Sequence, residues 1–159
     1  YLVKPKCSIE VKGTHDDSVR YSKCCNPVPG DEVVGFITRG RGISIHRTDC
    51  VNIMNLPEIE RARVIEADWE ASSLEEKSDQ KYMGEIKIFA NNRTGLLADI
   101  SRVFTENDID VRAMNSRTSK QEIATIEVSF LTQGKPQMVR IIEKIRAIDN
   151  VIDIERTTG

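Results

Sequence analysis

Four side chains in the first third of the chain are of types that bind metals. Cys24 and Cys25 are adjacent, and His46 and Cys50 follow at a spacing of four residues. That spacing allows two side chains to face one point at the start of a helix. Three thiolates and one imidazole are a common donor set for structural zinc. The pattern predicts a Zn2+ site, with the Asn-Pro dipeptide after the cysteines supplying the turn that both thiols need.

Other roles for the cysteines stay open at this point. Two buried thiols that pack as small hydrophobic groups are the alternative to a metal site. A Cys24–Cys25 disulfide is disfavoured, because adjacent Cα atoms are about 3.8 Å apart whereas a disulfide spans roughly 4.4–6.8 Å. Pairing with Cys7 or Cys50 is allowed on geometry. With four cysteines in 159 residues and no apolar run of membrane-spanning length, we expect a cytoplasmic protein that does not enter a membrane.

The residues around the cysteines predict a small β-rich unit. A hairpin is predicted from DEVVGFIT and ISIH, which flank the turn RGRG. Thr48 or Asp49 is expected to cap a short helix, CVNIMNL, that ends at Pro57, and RARVIEADW is expected to add a strand. Trp69 is expected to fill the core. A core of about 50 residues is marginal and often needs a metal or another staple.

Charge is distributed unevenly along a chain whose net charge is −2. Five basic residues in the first part are predicted to form one exposed face that contacts RNA phosphates. These residues are Arg20, Lys23, Arg39, Arg41 and Arg47. The stretch from 70 to 81 is acidic and has no apolar periodicity, which indicates a linker, with a solvated helix as the alternative.

The second half has the element order β-α-β-β-α-β. Strands are predicted from GEIKIFA, IDVRAMNSRTS, EIATIEVSFLT and NVIDIERT. Two helices are predicted from apolar stripes, one of Leu96, Leu97, Ile100, Val103 and Phe104, and one of Val139, Ile142, Ile145 and Ile148. The predicted fold class is therefore α+β: a small β-hairpin-plus-helix zinc-binding domain followed by a ferredoxin-like βαββαβ domain. Because the two helices cover one sheet face, a dimer that covers the other is expected.

The segment NNRTGLLADISRVFTENDIDVRAMNSRT resembles an ACT domain, the small-molecule sensing module of amino-acid metabolism. The resemblance rests on the polar-Arg-x-Gly-Leu-Leu turn and the Ile-Asp-Val that opens the second strand. It implies a homodimer and a ligand, such as a branched-chain amino acid, bound beside the turn. Asp110 of the facing subunit would join this site, where many amino-acid-binding relatives have Asn. The positions that match the family's site are Ala90, Asn92, Arg93, Gly95, Leu96, Leu97 and Asp110.

The segment YSKCCNPVPGDEVVGFITRGRGISIHRTDC resembles the conserved-cysteine, ribosome-intersubunit domain of long RelA/SpoT proteins. In that family this domain directly precedes a C-terminal ACT domain, and the match spans Val19 to Trp69. The resemblance implies a parent protein that makes, and often hydrolyses, guanosine tetra- and pentaphosphate. It also implies that this region docks between the ribosomal subunits, near an A-site tRNA, and contacts ribosomal RNA. The family's cysteine and histidine positions correspond to Cys24, Cys25, His46 and Cys50.

We therefore expect a non-catalytic regulatory region. The expected parts are an N-terminal segment of a larger protein at 1–17, the conserved-cysteine domain at 18–69, the acidic linker at 70–81 and the ACT domain at 82–159. The alternative is a metabolite-sensing ACT regulator that makes no RNA contact. The two differ in whether the arginines of the hairpin converge on one exposed face or pair with acids of the linker. An enzyme is disfavoured, because no nucleophile–base pair or nucleotide-binding loop is visible.

Overall fold

The computed structural model describes residues 9–11, 18–40, 42–74 and 80–157. Within these residues the chain forms two β-sheets and three α-helices. Cys7 and Arg41 lie outside the described residues, so the expectations placed on them stay predictions. The first sheet has the strand order β1-β5-β3-β4-β2, formed by β1 (Ile9–Val11), β2 (Val19–Tyr21), β3 (Val33–Ile37), β4 (Ile43–Arg47) and β5 (Val64–Trp69). The second sheet has the order β7-β8-β6-β9, formed by β6 (Tyr82–Asn91), β7 (Val111–Thr118), β8 (Ile123–Thr132) and β9 (Val151–Arg156).

The predicted hairpin is present in the first sheet. β3 and β4 pair antiparallel, β2 runs parallel to β4, and β1 pairs with β5. Alternation along β4 gives this sheet two different faces. Ile43 and Ile45 point to a buried face that they share with Ile9, Val33 and Ala67. Ser44 and His46 point to the other face, which is only half-buried.

The expected cap of the short helix is wrong. The helix α1 (Val51–Met54) begins after Cys50, which is the capping residue and makes no side-chain hydrogen bond to it. Asp49 is not available as a cap, because its carboxylate accepts hydrogen bonds from Arg47 at 2.9 and 2.6 Å. The single helical turn is over before Pro57, and a 3-10 helix (Glu58–Arg63) takes up the start of the segment predicted as a strand.

The second sheet and its two helices confirm the βαββαβ order. The helices α2 (Leu96–Glu106) and α3 (Lys135–Arg146) both contribute apolar side chains to the core below one face of the sheet. Two residues of the predicted stripes are misplaced: Leu97 is 43% exposed and Val139 is 42% exposed. Each residue turns a helix by about 100°, so Leu96, which the stripe also included, faces the sheet while Leu97 does not, and Met138 faces it in place of Val139.

The two sheets share a boundary that is partly apolar. Val28, in the loop after the paired cysteines, is fully buried in the core of the second sheet. Tyr21, Trp69 and Tyr82 form an aromatic cluster with ring centroids 5.7 Å apart in each pair. Trp69 fills a core as expected, but that core lies between the two parts of the chain. Its Nε1 donates to the backbone oxygen of Asp31 at 3.0 Å.

A buried ion pair crosses the same boundary. Arg156 on β9 donates to both carboxylate oxygens of Asp31, at 2.6 and 2.9 Å, and the N–H of Val28 donates to the same carboxylate at 2.8 Å. The Asp31 side chain is only 4% exposed. The N–H of Lys135 at the start of α3 donates to the carbonyl of Pro29 at 2.8 Å. The loop at 26–31 is thus attached to both ends of the second domain's core.

Between the two sheets the described chain forms a 3-10 helix (Ala71–Leu74) and resumes at Gln80, just before β6. Residues 75–79 of the expected linker lie outside the described residues. Among the helices that the structure describes, none is both long and apolar enough to cross a membrane.

The ion pair between Asp31 and Arg156 gives the first prediction. Arg156→Met removes one partner and leaves a buried carboxylate, so the free energy of unfolding should fall by about 3 kcal/mol. Arg146→Met is the matched control, since its pair with Asp153 at 3.6 Å is half exposed and should contribute less than about 1 kcal/mol. Urea denaturation measures both variants. Equal losses in the two would show that the buried pair does not hold the domains together.

Candidate functional site

The four predicted metal ligands meet at one place. The Sγ atom of Cys24 lies 3.4 Å from that of Cys50 and 3.5 Å from Nδ1 of His46, and the Sγ atom of Cys25 lies 3.9 Å from the same nitrogen. All four ligand atoms lie within 4.8 Å of one another. A tetrahedral ion with bonds of about 2.0–2.3 Å needs ligand atoms roughly 3.3–3.8 Å apart. The cluster therefore fits a metal ion, and the three cysteines in it are free thiols.

Three separate elements bring these ligands together. Cys24 and Cys25 lie in a turn that continues through Asn26, whose φ of 47° is in the left-handed region that Asn tolerates. The N–H of Asn26 closes the turn by donating to the carbonyl of Ser22 at 3.0 Å. His46 projects from β4, and Cys50 stands immediately before α1. The turn predicted after the paired cysteines is confirmed.

Polar groups that the sequence analysis missed surround the ligands. Ser44 Oγ lies 2.9 Å from Nε2 of His46, which leaves Nδ1 directed at the cysteines. Ser22 Oγ lies 2.8 Å from the sulfur of Cys24, and the N–H of Arg47 donates to the sulfur of Cys25 at 3.3 Å. Such partners orient metal ligands and select their protonation state. The signal for Ser44 was available, since residues two apart in a strand share a face.

Burial affects the pKa values of the four cluster residues differently. It raises the pKa of the Cys25 thiol well above its usual range, which the N–H of Arg47 offsets only in part. Burial and donation to Cys24 also raise the pKa of Cys50. For Cys24, burial alone would raise the pKa, but hydrogen bonds led by that from Ser22 outweigh it, so the pKa is lowered. Burial lowers the pKa of His46 and so favours the neutral imidazole, the form that binds metals.

Arg47 does not lie on an exposed basic face, which corrects the sequence prediction. It lies on the same buried face of β4 as Ile43 and Ile45, and its side chain is only 8% exposed. The guanidinium donates to Asp49, to the carbonyl of Cys25 at 3.3 Å and to the carbonyl of Thr157 at 3.1 Å. Arg47 therefore joins the cysteine turn to the end of β9.

The other described residues of the predicted RNA-contacting face are exposed, but they lie in two separate places. Arg20 is level with Ser44, two residues from the hairpin turn that contains Arg39. The Arg39 side chain is 78% exposed and makes a 3.7 Å ion pair with Glu60, which is not an acid of the linker. Lys23 lies near the second domain instead. Among the described residues, the hairpin end of the first sheet is thus the place where two predicted RNA-contacting arginines come together.

The predicted ligand turn of the second domain has the expected shape. Gly95 precedes α2 with φ of 82°, a conformation that favours glycine. Leu96 and Ala90 are buried in the core, so neither can contact a ligand at the surface by its side chain. Leu97 is exposed, and its N–H, like that of Ala98, has no acceptor among the described residues. Exposed N–H groups at a helix start favour an anion.

The polar side chains around that turn are occupied within the chain. Arg93 donates to Asn150 at 3.0 Å and to Asp99 at 2.7 Å, and this hydrogen bond lowers the pKa of Asp99. Asn92 donates to a carboxylate oxygen of Glu122 at 3.4 Å. The guanidinium of Arg93 therefore stabilises the turn through bonds within the chain.

Asp110 does not join the turn within one chain. It lies past the far end of α2 and forms an exposed ion pair with Arg112 at 3.1 Å. The expectation that it reaches the site from a facing subunit stays a prediction.

Comparison with known families gives a consistent assignment to the two parts. Residues 9–70 match the RelA/SpoT RIS domain, and residues 78–156 match the ACT domain. The first match contains the whole Cys–His cluster, and the second contains the complete second sheet with its helices.

Individual relatives match almost the whole chain. It is 34% identical over 152 residues to the GTP pyrophosphokinase of Escherichia coli K12, covering 95% of this chain and 20% of that protein. It is 32% identical over 151 residues to the GTP pyrophosphokinase of Streptomyces coelicolor, covering 95% of this chain and 17% of that protein. For the Haemophilus influenzae enzyme the identity is 35% over 147 residues, covering 92% and 19%. The chain thus spans about a fifth of the length of these relatives.

A solved structure, the ACT domain from GTP pyrophosphokinase of Chlorobium tepidum, is similar to the second part of the chain. Its TM-score is 0.44 and its identity 19%, and it covers 48% of this chain and 99% of that one.

Proposed function

Because the chain belongs to the RelA/SpoT family, with the family's RIS domain followed by an ACT domain, we propose that it is the regulatory part of a guanosine tetra- or pentaphosphate synthetase or hydrolase. In this role it would not catalyse the reaction. It would detect starvation in the cytoplasm through contact with the ribosome, its RNA and an A-site tRNA. The observation that supports this best is the order of the two domains, together with the complete Cys–His cluster in the first of them.

The face of the first sheet that includes His46 is the surface we propose for RNA. The register aligns Arg20, Ser44, Phe36 and Val64 in one row across four strands of that face. Arg20 is exposed and Phe36 half-buried, and Arg39 lies at the nearby turn. A cation beside a partly exposed aromatic ring suits a phosphate with a stacked base. Arg41, which lies between the two turn glycines in sequence, belongs to the same proposal. Arg47 is assigned to the inside of the protein.

Replacing the two described arginines of this surface tests the ribosome proposal. The double variant Arg20→Ala, Arg39→Ala should co-sediment less with intact bacterial ribosomes. Its salt dependence should be shallower, by roughly 0.7–0.9 in the log–log slope for each phosphate that the variant no longer neutralises. The double variant Arg117→Ala, Arg146→Ala, which removes two exposed arginines of the second domain, is the matched control. Unchanged co-sedimentation of the first variant at two salt concentrations would instead favour the alternative, an ACT sensor without RNA contact.

We propose that the Cys–His cluster holds one structural Zn2+ through Cys24, Cys25, His46 and Cys50. The ion would hold the cysteine turn, β4 and the start of α1 together, which the small apolar core of this domain does weakly by itself. Because Val28 of this domain is buried in the second domain's core, loss of the ion is expected to destabilise both domains.

Metal analysis tests this site. The purified chain should contain about one zinc, and Cys24→Ser or Cys50→Ser should lose it, because each removes one of only four ligands. Cys7→Ser is the control and should keep the metal. Acidification should release the ion, since protons compete for the thiolates. Loss of zinc should also lower the melting temperature of the whole chain. The site would be contradicted if wild-type protein purified without zinc, and adding zinc did not raise its melting temperature.

Amino-acid binding at the ACT turn is a second proposed role, in a homodimer of ACT domains. Two observations favour it: the N–H groups of Leu97 and Ala98 lack acceptors among the described residues, and the Leu97 side chain is exposed beside them. A ligand carboxylate would meet the N–H groups, and a branched apolar side chain would meet Leu97.

Calorimetry with valine, leucine and isoleucine tests this role. Leu97→Asp should weaken binding at least several-fold, because it removes the apolar contact to the ligand side chain and puts a negative charge beside the ligand carboxylate. Val139→Asp makes the same change at an equally exposed helical position and should have no effect. Gly95 is a poor position to vary, since any side chain at its φ of 82° strains the backbone. No heat with any of the three amino acids at millimolar concentration would remove this role and leave the ribosome proposal standing.

A further inference from the structure

A cleft separates the two domains on the side away from the ACT turn. Its volume is about 570 Å3, within the range of small-molecule sites. Tyr21 and Pro27 of the first domain line one side, and Tyr82, Met83 and Ala113 of the second domain line the other. The ACT turn lies at the opposite end of β6, where Asn91 rather than Tyr82 is located. The cleft is thus distinct from the turn.

Charge on the rim of this cleft is mostly positive, although the whole chain is slightly negative. Lys23, Lys81 and Arg112 line it together with a single acid, Glu85. Arg112 is paired with Asp110, and Glu85 accepts from Asn26 at 3.4 Å. Lys23 and Lys81 are exposed and have no ion-pair partner among the described residues. Lys23 from the first domain and Lys81 just before β6 therefore both face a largely apolar cleft, whose single acid accepts a hydrogen bond from Asn26.

We propose that this cleft binds a small aromatic anion. The flat apolar body would lie between Pro27 and the strand residues Met83 and Ala113, and the charged group would lie between Lys23 and Lys81. Because the ligand would contact both domains, its binding would stabilise the arrangement in which they pack together. This proposal is independent of the ribosome and amino-acid roles, since it uses none of their residues except Lys23, which the sequence analysis had assigned to RNA.

The cleft can be tested with a matched pair of fluorescent probes. 8-Anilinonaphthalene-1-sulfonate is an aromatic anion, and N-phenyl-1-naphthylamine is nearly the same molecule without the charge. Trp69 is the only tryptophan of the chain and stacks on Tyr21, which lines the cleft. Energy transfer from Trp69 should therefore report a probe bound there. We expect transfer to both probes, with the anion bound at least several-fold more tightly.

Three variants make the test specific. Lys81→Glu should weaken the anionic probe by about fivefold or more, the factor expected for an exposed ion pair, and leave the neutral probe unchanged. Ala113→Leu should weaken transfer to both probes, because it narrows the cleft from an exposed strand position. Lys120→Glu makes the same charge change near the far end of the sheet and should alter neither.

The proposal is overturned if Ala113→Leu leaves transfer intact, or if the neutral probe binds as tightly as the anion. It is also overturned if Lys120→Glu weakens the anion as much as Lys81→Glu does. Urea denaturation of each variant checks that a drop in transfer does not come from unfolding.

Discussion

The buried carboxylate of Asp31 is the constraint on which the arrangement of the two domains depends. An isolated charge at this depth would be costly, and the protein offsets the cost with two hydrogen bonds from Arg156 and one from the N–H of Val28. These bonds fix the loop at 26–31 against β9. They also determine that Val28 enters the neighbouring core and that Pro29 accepts from the first N–H of α3.

The Cys–His cluster is attached to the same loop. Cys25 immediately precedes Asn26, and Arg47 binds both the carbonyl of Cys25 and that of Thr157. The turn that holds two of the four ligands is thus supported from the second domain. A cation at the cluster and the packing of the ACT domain would therefore stabilise each other through a few short, buried contacts.

Much of this structure could be predicted from local patterns. Strand alternation and helical stripes predict the element order, because each element must bury one face. The four residues of the Cys–His cluster are marked by residue type and spacing. Arg47 was wrongly expected at the surface, although the alternation of Ile43 and Ile45 places position 47 on the buried face. For Arg47 the charge of the side chain suggested exposure, but the two-residue alternation of the strand determined that it is buried.

The rest could not be predicted, because its signals are not local. Asp31 and Arg156 are 125 residues apart in sequence, and nothing near either one indicates the other. The cap of α1 depended on whether Asp49 was already bound to Arg47, which is a tertiary contact. The shift from Val139 to Met138 on α3 depended on the direction from which the sheet approaches the helix.

The sequence separation of Asp31 and Arg156 has a consequence for how the protein is made. A chain grows at about 5–20 residues per second, so roughly 6–25 s pass between the synthesis of the two partners. During that interval the carboxylate of Asp31 lacks its guanidinium, and Val28 lacks the core that covers it. The four Cys–His residues, by contrast, are all present once Cys50 has been added. A nascent chain can therefore bring the Cys–His residues together early, whereas the loop at 26–31 packs only after β9 has been synthesised.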